Sequence, residues 1–322
     1  MEFKQDNFAF VDVVSLIFLV ILFIGNFFGL LYFTEGSFAI SIAISTLVVV
    51  LYYAIIQVLK KSKQTIVTKR YKTPAMALFA IFIALAIGSL IPLTHVINIE
   101  TNVKPKIQAE AADKIGKVTE LSKIYENRAH TDLQNYEGEL TNKLKVYIHT
   151  KQPFLKKQLS ALPYNIDIQT LASPQFIDVD NLVASKLTAI RKKVQENQSE
   201  IDSVVDEAHK NLERFDSWSR LKVAAEYKKL NQFVWSSYEL VNNKLADLPL
   251  NKEKIPLMMN PTQVPINQFF SLNKIYPPNW LLPIIAVVVI HLFILIPFFL
   301  YKVRVYVDNN PDENSKPKVI EY

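Results

Sequence analysis

Four long stretches of this chain carry almost no charge, and that constrains its fold more than any other feature. They are residues 9–33, 38–59, 76–98 and 280–301, and Asp12 is the one formal charge in all of them. Each is close to the roughly 20 apolar residues needed to cross a hydrocarbon core about 30 Å thick. Most of the charge lies in residues 99–279, with 25 Lys and Arg against 22 Asp and Glu. The expected fold is an all-α polytopic membrane protein. Four transmembrane helices carry one elongated, helical, coiled-coil-like hairpin domain outside the cytoplasm. A soluble enzyme of 322 residues is excluded.

The loop charges orient the spans. Basic residues close to a span stay in the cytoplasm. Residues 60–72 hold Lys60, Lys61, Lys63, Lys69, Arg70 and Lys72 and no acid, so they determine the topology. Residues 1–8 are then a cytoplasmic N-terminus, 9–33 the first span, 34–37 an outside turn and 38–59 the second span. Residues 60–75 form a basic cytoplasmic loop and 76–98 the third span. Residues 99–279 lie on the far side, 280–301 return, and 302–322 form a cytoplasmic tail. Trp280 and Tyr301 mark the two ends of the fourth span, where amphipathic rings favour the interface. The first apolar run is too long for a signal-peptide core and no small-residue cleavage site follows it, so a retained span is expected. The location implied is a bacterial inner membrane, with residues 99–279 periplasmic.

Within 99–279 the apolar spacing is helical. From Ile115 through Leu121, Tyr125, Tyr136 and Leu140 to Tyr147 the steps are threes and fours, the mark of a seam between helices. A helix over 105–150 would be about 70 Å long at 1.5 Å per residue. Gly138 is the expected weak point in it. Residues 179–247 hold no Gly or Pro, and one unbroken helix there would outrun its partner, so a break is expected near Asp216–Ser217. Residues 152–178, with three prolines, are the expected tip. Tyr164-Asn165-Ile166-Asp167-Ile168 alternates like a short strand, and Tyr164, Ile166 and Ile168 are the candidate partner contacts. Residues 248–279 are proline-rich, and proline blocks helix continuation. That segment is expected to lie against the membrane or the hairpin base.

Chemistry is scarce. The chain has no cysteine, which removes disulfides, thiolate metal sites and a Cys nucleophile. Neither GxGxxG nor GxxxxGK[ST] occurs, and the five histidines show no metal-binding spacing,. Glu137 and Glu139 read as a solvated face. No enzyme activity, cofactor or metal is expected. The basic excess reflects topology, so no nucleic-acid partner is expected either. His291, in the middle of the fourth span, has two readings: an interhelical hydrogen bond, or a proton relay. Gly25 and Gly29 on the first span, and Ala80, Ala84 and Gly88 on the third, read with His291 as membrane packing positions, because small residues let helices approach closely.

The span arrangement, the Cys-free, Lys/Asn/Ile-rich composition and the size of the outer domain resemble the TssN-type membrane-complex subunits of Bacteroidetes type VI secretion systems. The resemblance covers the chain in outline and carries over no functional residue. It implies an anchor in the envelope complex of a contractile injection machine. The function expected is a structural inner-membrane scaffold that meets lipid and other envelope proteins, in an oligomer or hetero-complex. The competing expectations are a signal relay with a separate cytoplasmic partner, and a channel or transporter subunit using His291.

Overall fold

The computed structural model describes residues 10–67, 73–257, 264–300, 304–307 and 318–321. Their regular structure is helical apart from a two-stranded antiparallel ribbon, Arg304–Val307 with Lys318–Glu321. The helices are α1 (Phe10–Phe33), α2 (Phe38–Val67), α3 (Thr73–Asn98), α4 (Lys104–Thr119), α5 (Leu121–Thr150), α6 (Pro153–Ser160), α7 (Ile168–Ala172), α8 (Val179–Asp216), α9 (Arg220–Glu226), α10 (Leu230–Ala246), α11 (Phe269–Ile275) and α12 (Leu281–Leu300). A π-helical turn, Ile99–Val103, follows α3. Helices α1, α2, α3 and α12 are long and apolar enough to cross a membrane. The chain divides into two compact units. The first comprises residues 1–106, 220–226 and 264–322, the second residues 107–219 and 227–263.

In the first unit the four apolar helices form a bundle around Leu22, Tyr52, Leu59, Phe82, Ile294 and Leu295. Helix α1 packs on all three others. Its seat against α3 is made by the two glycines. A Cβ on Gly25 would overlap the Leu93 side chain, and one on Gly29 would overlap the Pro92 carbonyl oxygen. Only a hydrogen side chain lets the backbones come so close. The small residues of α3 behave differently. Ala80, Ala84 and Gly88 are exposed, with no atom within 4 Å of a Cβ built on Gly88. The packing role expected for these three is therefore overturned within this chain: α3 turns Phe82, Ser89 and Leu93 inward instead.

The charged ends of the bundle are paired. Asp12 accepts from Lys60 at 2.8 Å, joining α1 to α2. Lys63 donates to the Phe298 and Phe299 carbonyls at 3.1 Å each, covering acceptors that the last turn of α12 cannot use internally. Helix α2 runs on to Val67, so Lys60, Lys61 and Lys63 stand on a helix and not in a loop. Lys69, Arg70 and Lys72 lie outside the described residues. At the other end, Gly36 closes the α1–α2 turn at φ +84°, a conformation that favours glycine,. A Cβ there would come within 2.8 Å of the Ala225 backbone, which is how α9 seats on this unit.

The second unit is built on α5 and α8, which pack along one another. Ser122 at the start of α5 meets Asp202 late in α8, while Leu144 and Tyr147 at the end of α5 share a core with Val183 and Leu187 at the start of α8, so the two run antiparallel. Helix α10 lies against both. Every apolar position of the 115–147 stripe is buried except Leu133, which is half-buried. Gly138 sits inside α5, and the interruption falls at Glu120 instead. Helix α8 ends at Asp216, where Trp218 takes φ +52°. Between α4 and α10, Lys114 is 4% exposed. It donates to Glu110 at 2.8 Å and to Asn231 at 2.7 Å, while Tyr227 donates to Glu110 at 2.6 Å. A buried charge is tolerated when it is paired and hydrogen-bonded in this way.

The proline-rich segment does not behave as one piece. Residues 248–257 belong to the second unit, burying Leu248 and Ile255, while residues from Val264 onward belong to the first and include α11. Met258, Met259 and Pro261 lie outside the described residues.

Gly29→Leu should destabilise the bundle in detergent unfolding by about 1–3 kcal/mol, the usual cost of overpacking. Gly88→Leu should leave the monomer's unfolding midpoint where it is. Equal effects of the two would refute the assignment of the α1–α3 seat.

Candidate functional site

Polar side chains inside an apolar bundle are where a function would show, so each is followed to its partner. His291 is 5% exposed. Its Nδ1 lies 2.7 Å from the Val287 carbonyl, one turn earlier on α12, and its Nε2 lies 2.7 Å from the Tyr52 hydroxyl on α2. A carbonyl only accepts, so Nδ1 carries the proton, and Nε2 of the neutral ring accepts from Tyr52. Tyr52 also meets Ser89 of α3 at 3.4 Å, and Phe82 of α3 packs edge-on to the imidazole at 5.8 Å. One histidine therefore ties α12 to α2 and α3, with both ring nitrogens occupied. An apolar groove of about 330 Å³ between α3 and α12 reaches His291, past Ile83, Leu90, Val287 and Leu292.

A second polar cluster sits where α1 and α3 end. His95 is fully buried and donates from Nε2 to the Ile266 carbonyl at 2.7 Å. Its ring stacks on Phe33 at 4.3 Å. Asn98 donates to Asn273 and to the Tyr276 carbonyl, both at 2.8 Å, and Asn267 donates to Glu35 at 2.8 Å. Together these bonds strap residues 264–276 across the end of the bundle. Arg220 of α9 completes this end. It reaches Glu100 at 2.6 Å and lies 5.0 Å from the centre of the Phe28 ring, within cation–π range. Ser15, deeper in α1, donates to the Ile294 carbonyl of α12 at 3.0 Å.

In the second unit the polar contacts gather where α5 meets α6. Tyr164 donates to Glu139 at 2.7 Å, and Lys143 donates to both at 2.8 and 2.7 Å. Lys143 and Tyr164 hold the Glu139 carboxyl below the usual range. Glu139 is therefore part of a closed three-residue network and not simply a solvated acid. Asp132, 6% exposed, accepts from the Leu250 amide at 3.1 Å. Burial pushes its carboxyl upward, against the pull of the Leu250 and Asn251 amides.

The candidate contacts at 164–168 separate. Tyr164 is 4% exposed and Ile166 2%. Both belong to the core formed by Tyr136, Leu140, Leu144, Tyr147, Leu159 and Leu171. Ile168, at 61%, faces out. The expectation of three free contacts is corrected for the first two. The short strand is corrected as well: Tyr164 and Asn165 form a turn bonded to the Ala161 carbonyl, and Ile168 begins α7. The segment folds back because Ile166 bonds to the Leu159 carbonyl and Tyr147 to the Leu171 carbonyl. Sequence reasoning also missed Tyr52, Ser89, Glu100 and Arg220. Their only signal was a polar group in or beside an apolar run.

Among the described residues no three His, Cys, Asp or Glu side chains converge to hold a metal ion. The arrangement fixes helices to one another, and each polar group named in the bundle joins two elements.

Ile166→Asp should destabilise the protein by at least about 2–5 kcal/mol, the cost of losing a buried aliphatic side chain. Ile168→Asp should leave the melting temperature unchanged. Asp132 supplies a pH test. Its folded pKa is raised, so between about 3.9 and that raised value the folded state holds more protons than the unfolded one. Stability attributable to Asp132 is then lost as pH rises through the window. Asp132→Asn keeps an acceptor for the Leu250 amide. Its melting temperature should rise relative to wild type across the window and converge with it at lower pH. A constant difference at every pH would refute the burial account.

No protein-family model matches this chain, and the searches of curated proteins and of solved structures found no similar one.

Proposed function

We propose that the chain is a structural anchor: a multi-pass scaffold subunit of a bacterial envelope assembly, whose helical unit stands in the periplasm as a coiled-coil-like hairpin and binds other envelope proteins. The observation that carries this reading is the state of His291. Both ring nitrogens are engaged, one by its own helix and one by Tyr52. A relay needs a group able to take up or give a proton on each side of the ring, and Nδ1 meets a backbone carbonyl, which does neither,. Ser15 and His95 also bond to backbone carbonyls, at other depths. The basic residues 60–72 support a cytoplasmic position for the end of α2,. The resemblance in layout to TssN-type subunits favours a secretion-system membrane complex as the assembly.

Purification from the native membrane in mild detergent tests this. The protein should elute in a stoichiometric complex larger than its 36.9 kDa chain. His291→Ala should loosen the bundle by about 1–2 kcal/mol, the range for hydrogen bonds between helices in membranes, and leave the complex and its function in place. If His291→Ala abolishes function while the protein stays inserted and complexed, the anchor reading fails and an intramembrane relay takes its place.

A further inference from the structure

The end of the second unit where α5 passes into α6, α7 and the start of α8 carries an unusual surface. Phe154 is 65% exposed, Leu162 85%, Ile168 61% and Phe176 81%. With Val146, these are all but one of the unit's exposed large apolar side chains among the described residues, Trp235 being the other. They belong to one end of the fold, because the segments that bear them share the core of Tyr147, Leu159, Tyr164, Ile166 and Leu171. Where α5 passes into α6 the charge has one sign. From Leu140 to Ile166 the chain holds five lysines and no acid. Lys143 is bound into the network with Glu139, and among the described residues Lys145, Lys151, Lys156 and Lys157 form no ion pair. The acids of α7 and the start of α8 are Asp167, Asp178 and Asp180, and the first two serve as helix caps. Asp167 caps α7 by accepting from the Gln169 amide, and Asp178 caps α8 by accepting from the Asn181 amide.

We propose that this end of the unit binds the surface of an anionic phospholipid bilayer, inserting Phe154, Leu162 and Phe176 among the acyl chains while its lysines meet the headgroups. Three observations select lipid over protein as the occupant. The apolar side chains protrude singly, each nearly free of neighbours. A fluid hydrocarbon surface accommodates isolated rings, whereas a protein partner calls for a contiguous, part-buried patch. The lysines without acids match the negative potential of an anionic leaflet. Part of the segment's backbone is already bonded internally, at the turn on Ala161, from Ile166 to Leu159 and at the turn on Pro174, which lowers the cost of shallow entry into the interface. This goes beyond the anchor reading, whose carrying observation lies at His291 in the bundle, and it is tested separately.

The full-length protein in neutral phosphatidylcholine nanodiscs is mixed with separate vesicles of phosphatidylcholine alone or with phosphatidylglycerol, and floated on a density gradient. Wild type should float with the phosphatidylglycerol vesicles and not with neutral ones. Lys151→Gln/Lys156→Gln/Lys157→Gln should lose on the order of 100-fold in binding, at roughly fivefold per charge. Phe154→Ser/Leu162→Ser/Phe176→Ser should abolish flotation with the melting temperature unchanged, since the three side chains are exposed. The chain has no cysteine, so Leu162→Cys bearing an environment-sensitive dye adds a direct readout, and its emission should shift to the blue on the anionic vesicles. Binding that survives the triple Ser substitution, binding equal on neutral vesicles, or no blue shift at 162 overturns the proposal. So does a photo-crosslinker at 162 that captures protein and no lipid in cells. Intact complex formation in the triple Ser variant would leave the anchor reading untouched.

Discussion

The close approach of α1 to α3 at Gly29 and Pro92 governs the first unit. A proline has no amide hydrogen, so Pro92 cannot bond to the carbonyl four residues before it. The helix continues past it, and its carbonyl lies where any side chain on α1 would collide. Contact at that depth brings the last turn of α3 under the last turn of α1. There Phe33 covers His95, and His95 in turn holds Ile266. The strap of residues 264–276, the seat of α9 and the Arg220–Glu100 pair all build on that end. Without glycine at 29 the helices would separate, and the histidine would lose the cover of its ring partner.

How far the amino-acid sequence discloses this depends on the solvent each part meets. The four apolar helices are legible because charge is excluded from hydrocarbon, and the absence of charge over about 20 residues is a strong signal. Their facing is not legible. In α3 nearly every side chain is apolar, so no periodicity separates the face that packs from the face turned outward. The small-residue spacing of Ala80, Ala84 and Gly88 fits helix contact as well as Gly25 and Gly29 do, yet it is exposed. In the second unit water supplies the contrast that hydrocarbon lacks, and the stripe from Ile115 to Tyr147 is buried almost residue for residue.

Residues 152–178 show where pattern reading stops. Prolines divide the segment into pieces too short to carry a period. Burial is then set by contacts across 24 and 25 residues, Tyr147 with Leu171 and Tyr164 with Glu139. Tyr164 and Ile166 are drawn into the core while Leu162 and Ile168, among the same few residues, stay out. The small helix α9 is hidden for a related reason. Seven residues inside a long helical stretch return to the apolar bundle, and only an arginine able to meet Glu100 betrays it. The polar positions in the bundle were visible, but their partners were not: a lone histidine in an apolar run does not say which tyrosine it will find.

The bond from Ser15 to the Ile294 carbonyl spans 279 residues of chain, and α1 packs along α12. During synthesis α1 therefore emerges long before its neighbour exists. Ser15, buried in the finished bundle, has to wait for its partner carbonyl until Ile294 has been made. Closing so large a loop is slow even when its free-energy cost is modest. The early spans form a half-built bundle with an open seam, and the arrival of α12 seals it. Biogenesis of this protein is thus a race between the fourth span and whatever else can occupy the seam.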